Sequence, residues 1–207
     1  MPNWCWNRVN IKAKHSVLKT IKKKLRSENQ EFDFNNLISN EKTKEESFKK
    51  WKTLSKAEIE RWRDFETYWF NDVGYGWQIK NWGCKWNASH ISKPTLELNE
   101  LDYTFDTPWN PPFNIILKLI ETFPNAEINW FYSEPGNGVG GKIIGEKGEI
   151  VMRETYELEY LPCPNCESYE EILIHPDKNE EDKPQQCVNC GKSFTIAQAR
   201  KAEEGAP

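Results

Sequence analysis

The chain of 207 residues is long enough for one medium domain and a small additional module, and 37% of its residues are hydrophobic. No apolar run approaches the roughly 20 residues that a membrane-spanning helix needs. Met1–Trp4 lacks the basic segment and apolar stretch of a secretory signal. We therefore expect a cytoplasmic protein with no membrane partner. Reduced thiols in that compartment favour metal binding or burial over disulfide bonds for the six cysteines.

The net charge of −4 conceals an uneven distribution of charged residues. Residues 1–86 carry a net charge of +7, whereas residues 87–207 carry a net charge of −11. Such an asymmetry can mark a half that faces nucleic acid. The favoured alternative is that lysine-rich helix faces are simply solvated, because glutamate is interleaved throughout the basic region.

The first forty residues predict a strand followed by a helix. Residues 6–14 alternate apolar and polar side chains, which is typical of a strand. A helix opens at His15, and one face of it is formed by Leu18, Ile21 and Leu25. Residues 29–42 are mostly polar, which predicts a loop.

Two more helices are predicted after this loop. The first has an apolar stripe formed by Phe48, Trp51 and Leu54. Ser55 starts the second with a capping box, which Glu58 completes three residues later. The predicted buried face of the second helix consists of Ile59, Trp62, Phe65 and Trp69. We expect Gly74 and Gly76 to end it.

The second half of the chain predicts four strands and one helix. The strands are expected at residues 95–105, 126–134, 139–144 and 149–160. The helix is expected to begin at Asn110, which caps it, with proline in the first turn, where no backbone N–H is needed. This order predicts an α+β fold: a ferredoxin-like antiparallel sheet with two packing helices. We expect this domain to span residues 1–158, with a helical insertion at about residues 29–76.

Four cysteines near the C-terminus have the spacing of a metal site. Cys163 and Cys166 form one Cys-x-x-Cys pair, and Cys187 and Cys190 form the second. Two residues between paired cysteines place both sulfur atoms in one tight turn, and four thiolates fill the tetrahedral shell of Zn²⁺ without an open position. The pattern predicts a small structural zinc ribbon over residues 159–200, followed by a flexible tail at 201–207. Iron is the alternative metal.

A set of aromatic, amide and charged residues is the candidate ligand site. It consists of Asn81, Trp82, Lys85, Trp86, Trp109 and Glu134. The face of a tryptophan can stack on a base or a sugar, and a lysine can bind a phosphate. The favoured alternative is that the tryptophans pack beneath the helices, because exposed tryptophan is costly and a small sandwich needs aromatic filler.

The remaining candidate features favour no catalytic site. Gly136–Lys142 has the spacing of a phosphate-binding loop, but Ile143 replaces the Ser or Thr that holds Mg²⁺, and a strand follows instead of a helix. A hairpin turn is therefore favoured. His90 is the best candidate for acid–base chemistry. Cys5 and Cys84 lack a nearby Cys or His and are expected to be buried thiols.

Four short motifs occur in order along the first ~150 residues: Pro2–Asn7, Asn81–Trp86, Thr107–Pro112, and Tyr132–Gly136 followed by Gly140-Gly141. In these motifs the chain resembles the YubB-like proteins, a family of phage and plasmid proteins with a ferredoxin-like fold. That family usually has Thr at the position of Cys84, which argues against a catalytic role for this thiol, and Ala at the position of Pro108. The resemblance implies a fold and a mobile-element origin but no activity. The cysteine pairs lie outside it.

Three functions are compatible with the sequence. The favoured one is a non-enzymatic accessory binding protein of a phage or plasmid, which engages nucleic acid or a host protein in the host-cell cytoplasm. The second is an anti-defence factor that acts by protein–protein contact or mimics DNA through its acidic half. The third is a nucleotide-binding protein or enzyme that uses the candidate ligand site, although no paired acid and base is evident. The sequence leaves the oligomeric state open.

Overall fold

The computed structural model describes residues 3–40, 42–175 and 180–204, except for the side chain of Leu173. Within these ranges the chain forms nine strands, seven α-helices and two short 3-10 helices. The strands are β1 (Trp4–Lys12), β2 (Thr95–Leu96), β3 (Glu100–Pro108), β4 (Glu127–Glu134), β5 (Val139–Glu146), β6 (Glu149–Pro162), β7 (Tyr169–Ile174), β8 (Pro184–Gln186) and β9 (Ser193–Thr195). The helices are α1 (His15–Leu25), α2 (Lys44–Trp51), α3 (Lys56–Trp62), α4 (Phe65–Asp72), α5 (Tyr75–Trp82), α6 (Phe113–Thr122) and α7 (Ile196–Glu204).

Seven strands form one sheet in the order β2-β3-β1-β4-β5-β6-β7. β1 lies between β3 and β4 and is antiparallel to both, so β3 and β4 run parallel to each other. Helix α6 connects these two strands across β1, which is the split βαβ arrangement of ferredoxin-like folds. The predicted α+β fold class is confirmed.

The hydrophobic core lies between one face of the sheet and the helices α1 and α6. Alternate residues of β1, including Val9 and Ile11, are fully buried on this face, as the two-residue period of a strand requires. The buried side chains of the two helices are Leu18, Ile21, Leu25, Ile115, Ile116, Leu119 and Ile120. Burial of each contributes about 1.5–3 kcal/mol, which is enough to hold both helices on the sheet.

The opposite face of the central strands is covered by no helix in the described part of the chain. The side chains that alternate with the core residues of β1 are exposed here, and they include Trp6 and Arg8. Phe131 of the neighbouring strand β4 is exposed on the same face. We call this surface the open face.

The single helix predicted to begin after Ser55 is two helices in the structure. Ser55 caps α3 with the predicted capping box, but α3 is only seven residues long. It ends because Arg63 adopts a left-handed backbone conformation with a φ of 70°. The carboxylate of Asp64 then accepts a hydrogen bond from the backbone N–H of Thr67 and caps α4. Aspartate favours such a cap, and hydrophobic periodicity alone overlooks it.

Helix α5 is an element that the sequence analysis did not predict. Helix α4 ends at Asp72, near Gly74 as expected, but Gly74 is also the N-cap residue of α5, and Gly83 ends α5 with a φ of 92°. The helix packs Trp82 against Phe34, with ring centroids 5.7 Å apart. The inserted helices thus extend to residue 82, against about residue 76 in the prediction.

Helix α6 begins later than predicted. Pro112 occupies the N-cap position, and no side chain caps the helix. Asn110 and Pro111 each precede a proline, which disfavours helical dihedral angles, so the helix starts only after Pro112. The helix has ten residues, and none of the helices in the described ranges is long and apolar enough to cross a membrane.

Candidate metal centre and candidate binding groove

Four sulfur atoms converge beside the turn between β6 and β7. The Sγ atoms of Cys163, Cys166, Cys187 and Cys190 all lie within 4.8 Å of one another. Those of Cys163 and Cys190 are 3.9 Å apart, and those of Cys166 and Cys187 are 3.6 Å apart. Zinc–sulfur bonds of about 2.3 Å in a tetrahedron require sulfur–sulfur separations of about 3.8 Å. The four cysteines therefore fit a single metal ion.

The surroundings lower the pKa of Cys163 and of Cys166, whereas the thiol of Cys187 donates a hydrogen bond to Glu170 at 3.0 Å and has a pKa raised to about 12. The backbone N–H of Asn165 donates to the Sγ of Cys163 at 3.4 Å, and in the second turn the backbone N–H of Cys190 donates to the Sγ of Cys187 at 3.3 Å. Hydrogen bonds from the hydroxyl and backbone of Ser168 lower the pKa of Cys166 to about 6. Because the thiolate is the form that binds metal, the first turn favours a bound cation, and a metal ion would displace the proton of Cys187.

A small hydrophobic cluster surrounds the metal site. Its buried members are Leu161, Cys163, Ile172, Cys187, Phe194, Ile196 and Ala199. Modules of fewer than about 40 residues rarely fold on such a small core without a metal or disulfides. We expect the metal to supply much of the stability of this region.

Strand β6 joins the metal module to the main sheet. Its first part pairs with β5, and residues 157–162 pair with β7. Arg200 of α7 reinforces the junction, because its guanidinium lies 2.7 Å from Glu159 on β6 and also contacts Glu181. The two modules thus share one strand, at the position where the sequence suggested a boundary. Helix α7 continues to Glu204, within the range predicted as a tail, and residues 205–207 lie outside the described ranges.

A groove of about 630 Å³ lies on the open face of the sheet, and we call it the open-face groove. It is lined by Trp4, Trp6, Arg8, Asp106, Phe131, Tyr132, Ser133, Pro135, Gly141, Tyr156 and Glu171. Trp6 is 44% exposed and Phe131 is 37% exposed, although both lie on central strands. Neighbouring exposed aromatic side chains on one surface indicate a binding site more often than isolated ones do.

The strand register places an aromatic ring between two cations on the open face. Phe131 of β4 lies directly opposite Arg8 of β1 on one side and Lys142 of β5 on the other. The Nζ of Lys142 lies 5.3 Å from the centroid of the Phe131 ring. Arg8 donates one hydrogen bond to Asp102 at 3.1 Å, and its guanidinium carries further donors. We call Arg8, Phe131 and Lys142 the cation row.

A second row crosses the same strands two residues further along. Trp6 of β1 lies opposite Asp106 of β3 and opposite Ser133 of β4. The hydroxyl of Ser133 donates to Glu171 of β7 at 3.1 Å, and the hydroxyl of Tyr160 donates to the other carboxylate oxygen at 2.9 Å. Trp6 is thus flanked by carboxylates, and we call Asp106, Trp6 and Glu171 the carboxylate row. The two rows are about 7 Å apart, since a strand rises about 3.4 Å per residue.

Glycines in β5 explain how β7 reaches β4. In a flat sheet these strands, three positions apart, would be separated by about 14 Å, yet Ser133 and Glu171 are in hydrogen-bond contact. Gly140 and Gly141 lie opposite Ser133 and Tyr132, and a Cβ atom at Gly141 would collide with the Tyr132 ring. The missing side chains allow the sheet to curl, and the curl makes the groove concave.

The structure divides the predicted ligand set instead of bringing it together. Trp82 is 3% exposed, and its indole N–H donates to the carbonyl of Ile38 at 2.8 Å. The side-chain amide of Asn81 donates to the carbonyl of Trp77 at 2.9 Å, within α5. These contacts give both residues structural roles.

Lys85 and Trp86 lie at the Trp4 end of the groove. The Nζ of Lys85 is 5.0 Å from the ring centroid of Tyr75 and 5.7 Å from that of Trp86. The Trp86 ring contacts Trp4, which lines the groove, with centroids 6.1 Å apart. Trp86 thus contacts the groove lining through Trp4, and Lys85 lies beside Trp86.

Trp109 and Glu134 meet at the turn between β4 and β5. Glu134 is fully buried, and it accepts a hydrogen bond from the backbone N–H of Asn137 at 2.5 Å. The side chain of Asn137 donates to the carbonyl of Trp109 at 3.4 Å. Their contacts hold the turn in place. Ligand binding by the six predicted residues stays a prediction.

His90 is the candidate acid–base residue, and its Nδ1 lies 2.9 Å from a carboxylate oxygen of Asp106. Its ring contacts Trp4, with centroids 4.8 Å apart. Cys5 and Cys84 are buried as predicted, and burial raises the pKa of the Cys5 thiol to about 12. The glycine-rich segment 136–142 forms the predicted hairpin between β4 and β5.

The match to a family model agrees with this fold. Residues 81–163 match the model described as a ferredoxin-like domain in Api92-like protein. The solved structure of protein Api92 from Yersinia pseudotuberculosis is also similar to this chain, with a TM-score of 0.49 and 13% identity. That similarity covers 75% of this chain and 98% of Api92. A search of curated proteins found no match.

The matched segment runs from the end of α5 to the first cysteine of the metal site. It contains Phe131 and Lys142 of the cation row, whereas Trp6, Arg8 and Glu171 lie outside it. The ferredoxin-like fold that the sequence resemblance implied is thus supported for residues 81–163. The more specific YubB-like relationship stays a prediction.

Sequence reasoning missed the groove, although a signal for it was present. Trp130, Phe131 and Tyr132 are three consecutive aromatic residues within a predicted strand. Because successive side chains of a strand point to opposite faces, Phe131 must lie on the face opposite its two neighbours. The sequence does not show that this face is uncovered, because that depends on where the helices pack.

The lysine-rich surface of helix α1 is remote from the cation row. Lys19, Lys22, Lys23 and Arg26 surround a smaller groove of about 370 Å³ on the outer side of α1. Helix α1 packs on the core face of the sheet, whereas the open-face groove lies on the opposite face. The predicted charge asymmetry therefore does not identify the groove.

Proposed function

We propose that the protein is a non-enzymatic binding module for single-stranded nucleic acid, whose bases stack on Phe131 and Trp6. The observation that carries this proposal is the pair of exposed aromatic rings on adjacent strands of an uncovered sheet. Sheets of this kind bind unpaired bases by stacking them on exposed aromatic side chains. The two rows are about 7 Å apart, so that Phe131 and Trp6 can each contact a different base of one strand.

The cation row supplies the contacts that a nucleic-acid backbone needs. A base stacked on Phe131 places its flanking phosphates near Arg8 and Lys142. Asp102 and the cross-strand neighbour Glu154 offset part of this positive charge. Stacking contributes about 1–3 kcal/mol per base, so we expect it to exceed the phosphate contacts. The two phosphate contacts should give log affinity a slope of about −1.4 against log salt concentration.

The geometry favours single strands over duplexes. The bases of a duplex stack on one another, so their faces cannot reach Phe131 or Trp6. A duplex would also meet a protein with a net charge of −4 and would gain only two cationic contacts in the groove.

Phe131→Ala tests the proposal in a titration of tryptophan fluorescence with short oligonucleotides. Phe48→Ala is the matched control, because Phe48 is 42% exposed but lies on α2, away from the groove. Loss of one stacking surface should weaken binding roughly 5- to 150-fold. Equal affinities of the two variants, or no binding by the unmodified protein, would contradict the proposal.

We also propose that the metal held by the four cysteines is structural zinc. The sulfur–sulfur distances fit Zn²⁺, and four thiolates leave no position for a substrate. Metal analysis of the purified protein should find about one zinc per chain. The double variant Cys163→Ser and Cys190→Ser should lose it, whereas Cys84→Ala, which changes a buried thiol outside the cluster, should retain it. Iron in place of zinc, or undiminished zinc in the double variant, would contradict the assignment.

A phage or plasmid origin, a host-protein partner and DNA mimicry stay predictions. A protein partner could also bind the exposed aromatic rings, but the cations Arg8 and Lys142 beside Phe131 favour nucleic acid. The single-strand proposal therefore takes precedence over them. The enzyme alternative lacks a comparable supporting observation among the described residues.

A further inference from the structure

We infer that the open-face groove selects cytosine over the pyrimidines uracil and thymine. This inference rests on the proposed binding of single strands and concerns the ring at Trp6. Asp106 and Glu171, on the two sides of that ring, supply hydrogen-bond acceptors where the edge of a stacked base would lie.

Asp106 is held at one side of Trp6 by two elements. The β1–β3 register places it directly opposite Trp6, and His90 contacts one of its carboxylate oxygens at 2.9 Å. Its side chain remains 24% exposed, and a carboxylate has about four acceptor positions. Asp106 can thus accept a hydrogen bond from a ligand without releasing His90.

Glu171 is held at the other side of Trp6 by hydrogen bonds to both of its oxygen atoms. Ser133 and Tyr160 donate these bonds at 3.1 and 2.9 Å. The two donors fix the plane of the carboxylate, while the residue stays exposed and lines the groove. A fixed acceptor loses little side-chain entropy when it binds a base.

Two fixed carboxylates discriminate between pyrimidines of the same size. The exocyclic N4 amino group of cytosine donates hydrogen bonds, and aspartate and glutamate are its usual partners. Uracil and thymine carry the O4 carbonyl at that position, so a carboxylate there meets a second acceptor and repels it. Stacking is alike for these bases, so the difference in affinity reports the edge contacts alone.

The cation row should not share this selectivity. Arg8 and Lys142 carry only donors, and they suit phosphates and base carbonyls alike. The protein would therefore discriminate between bases at the position stacked on Trp6, whereas the position stacked on Phe131 would accept any base. We expect the preference to concern one position of the strand.

The test compares oligocytidine with oligouridine of equal length by fluorescence anisotropy, using the full chain. The unmodified protein should bind oligocytidine more tightly by about 5- to 150-fold, the range for one well-placed base contact. Glu171→Gln and Asp106→Asn, which keep the side-chain shape, should each reduce this ratio and strengthen oligouridine binding. Glu149→Gln, a carboxylate change outside the groove lining, should leave the ratio unchanged.

The possible outcomes separate this inference from the proposal on which it rests. Equal, tight binding of both oligomers by the unmodified protein would overturn base selection and leave the stacking proposal standing. A ratio that neither groove variant changes would overturn the assignment to Asp106 and Glu171. Binding of neither oligomer would overturn both the selectivity and the single-strand proposal.

Discussion

At the scale of single residues, Phe131 exposes an aromatic ring to water, which is unfavourable for the free energy of folding. Its ring is 37% exposed on a central strand, and Arg8 and Lys142 flank it. On the other face of β4, the fully buried Trp130 already fills the core. Core packing therefore does not require an aromatic ring at position 131; the ring contacts Lys142 at 5.3 Å and leaves a face for a stacked ligand.

Lys142 should contribute charge and not base contacts. Lys142→Gln removes one phosphate contact, so the slope of log affinity against log salt should become shallower by about 0.7 for a single strand. The measurement is a series of oligonucleotide titrations at increasing salt concentration. Lys147→Gln, in the turn between β5 and β6, is the control and should leave the slope unchanged. Identical slopes for the two variants would remove Lys142 from the binding surface.

The cysteines could be assigned from sequence, and the groove residues could not. Cys163 and its partners are recognised because metal coordination imposes a local spacing on the chain. Trp6, Asp106 and Glu171 meet through strand register and sheet curl, and their positions in the sequence are far apart. Contacts that depend on long-range strand pairing impose no characteristic spacing on the residues in the sequence.

At the scale of elements, glycines shape the sheet. Gly141 lies opposite Tyr132, and the absence of a side chain allows the Tyr132 ring to lie against the backbone of β5. Such close approach is a common reason for glycine within a strand. The curl at this position brings β7 toward β4 and forms the far wall of the groove.

Gly141→Ala should destabilise the protein and open the groove. The added Cβ atom collides with the Tyr132 ring, and overpacking of this kind costs about 1–3 kcal/mol. Chemical denaturation should detect the loss, and the affinity for oligonucleotides should fall because Glu171 moves away from Trp6. Val139→Ala on the same strand should change both quantities less, because Val139 is 36% exposed. A Gly141→Ala protein of unchanged stability would show that β5 tolerates the methyl group.

The break between α3 and α4 makes a prediction about pH. A hydrogen bond from the backbone N–H of Thr67 holds the pKa of Asp64 below its usual value. A lowered pKa means that the ionised cap stabilises the fold above the usual aspartate pKa of about 3.9, and that this stabilisation is lost as the pH falls through the lowered value. Asp64→Ala should thus lower the melting temperature at pH 7 and lower it less in acid. If the melting temperatures of Asp64→Ala and the unmodified protein differed by the same amount at every pH, this role of Asp64 would be contradicted.

Local patterns predicted the ends of some helices and failed at others. The capping box of Ser55 is present as expected. Gly74 marks the end of α4 as predicted, but glycine serves at both ends of helices, and only the tertiary packing of Trp82 shows that a further helix follows it. The positive φ of Arg63 has no sequence signal, since arginine rarely adopts that conformation.

At the scale of the whole molecule, the metal site and the groove share the β6–β7 hairpin. The cysteine turn lies at one end of the hairpin, and Tyr156 and Glu171 line the groove from these strands. Loss of the metal should therefore displace the groove residues that lie on this hairpin. The fold class was predictable from the order of elements, whereas this connection was not, because sequence reasoning treated the ribbon as separate.

Removal of the metal with a chelator should loosen β7 before the rest of the sheet. Amide hydrogen exchange in Tyr169–Ile174 should accelerate, while exchange in β1 and α1 should stay slow, since those elements belong to the main core. Oligonucleotide affinity should fall when Glu171 loses its position. Unchanged exchange in β7 after complete removal of the metal would show that the hairpin does not depend on it.

Ultraviolet cross-linking of a short oligonucleotide to the full chain, with mass-spectrometric mapping, tests the central claim most directly. The open-face groove predicts cross-links at Trp6, Phe131 or Tyr156, because these rings line it and aromatic rings that stack on a base cross-link efficiently. Cross-links confined to the basic surface of α1, at Lys19, Lys22 or Lys23, would contradict the claim and place nucleic acid on the opposite face of the sheet.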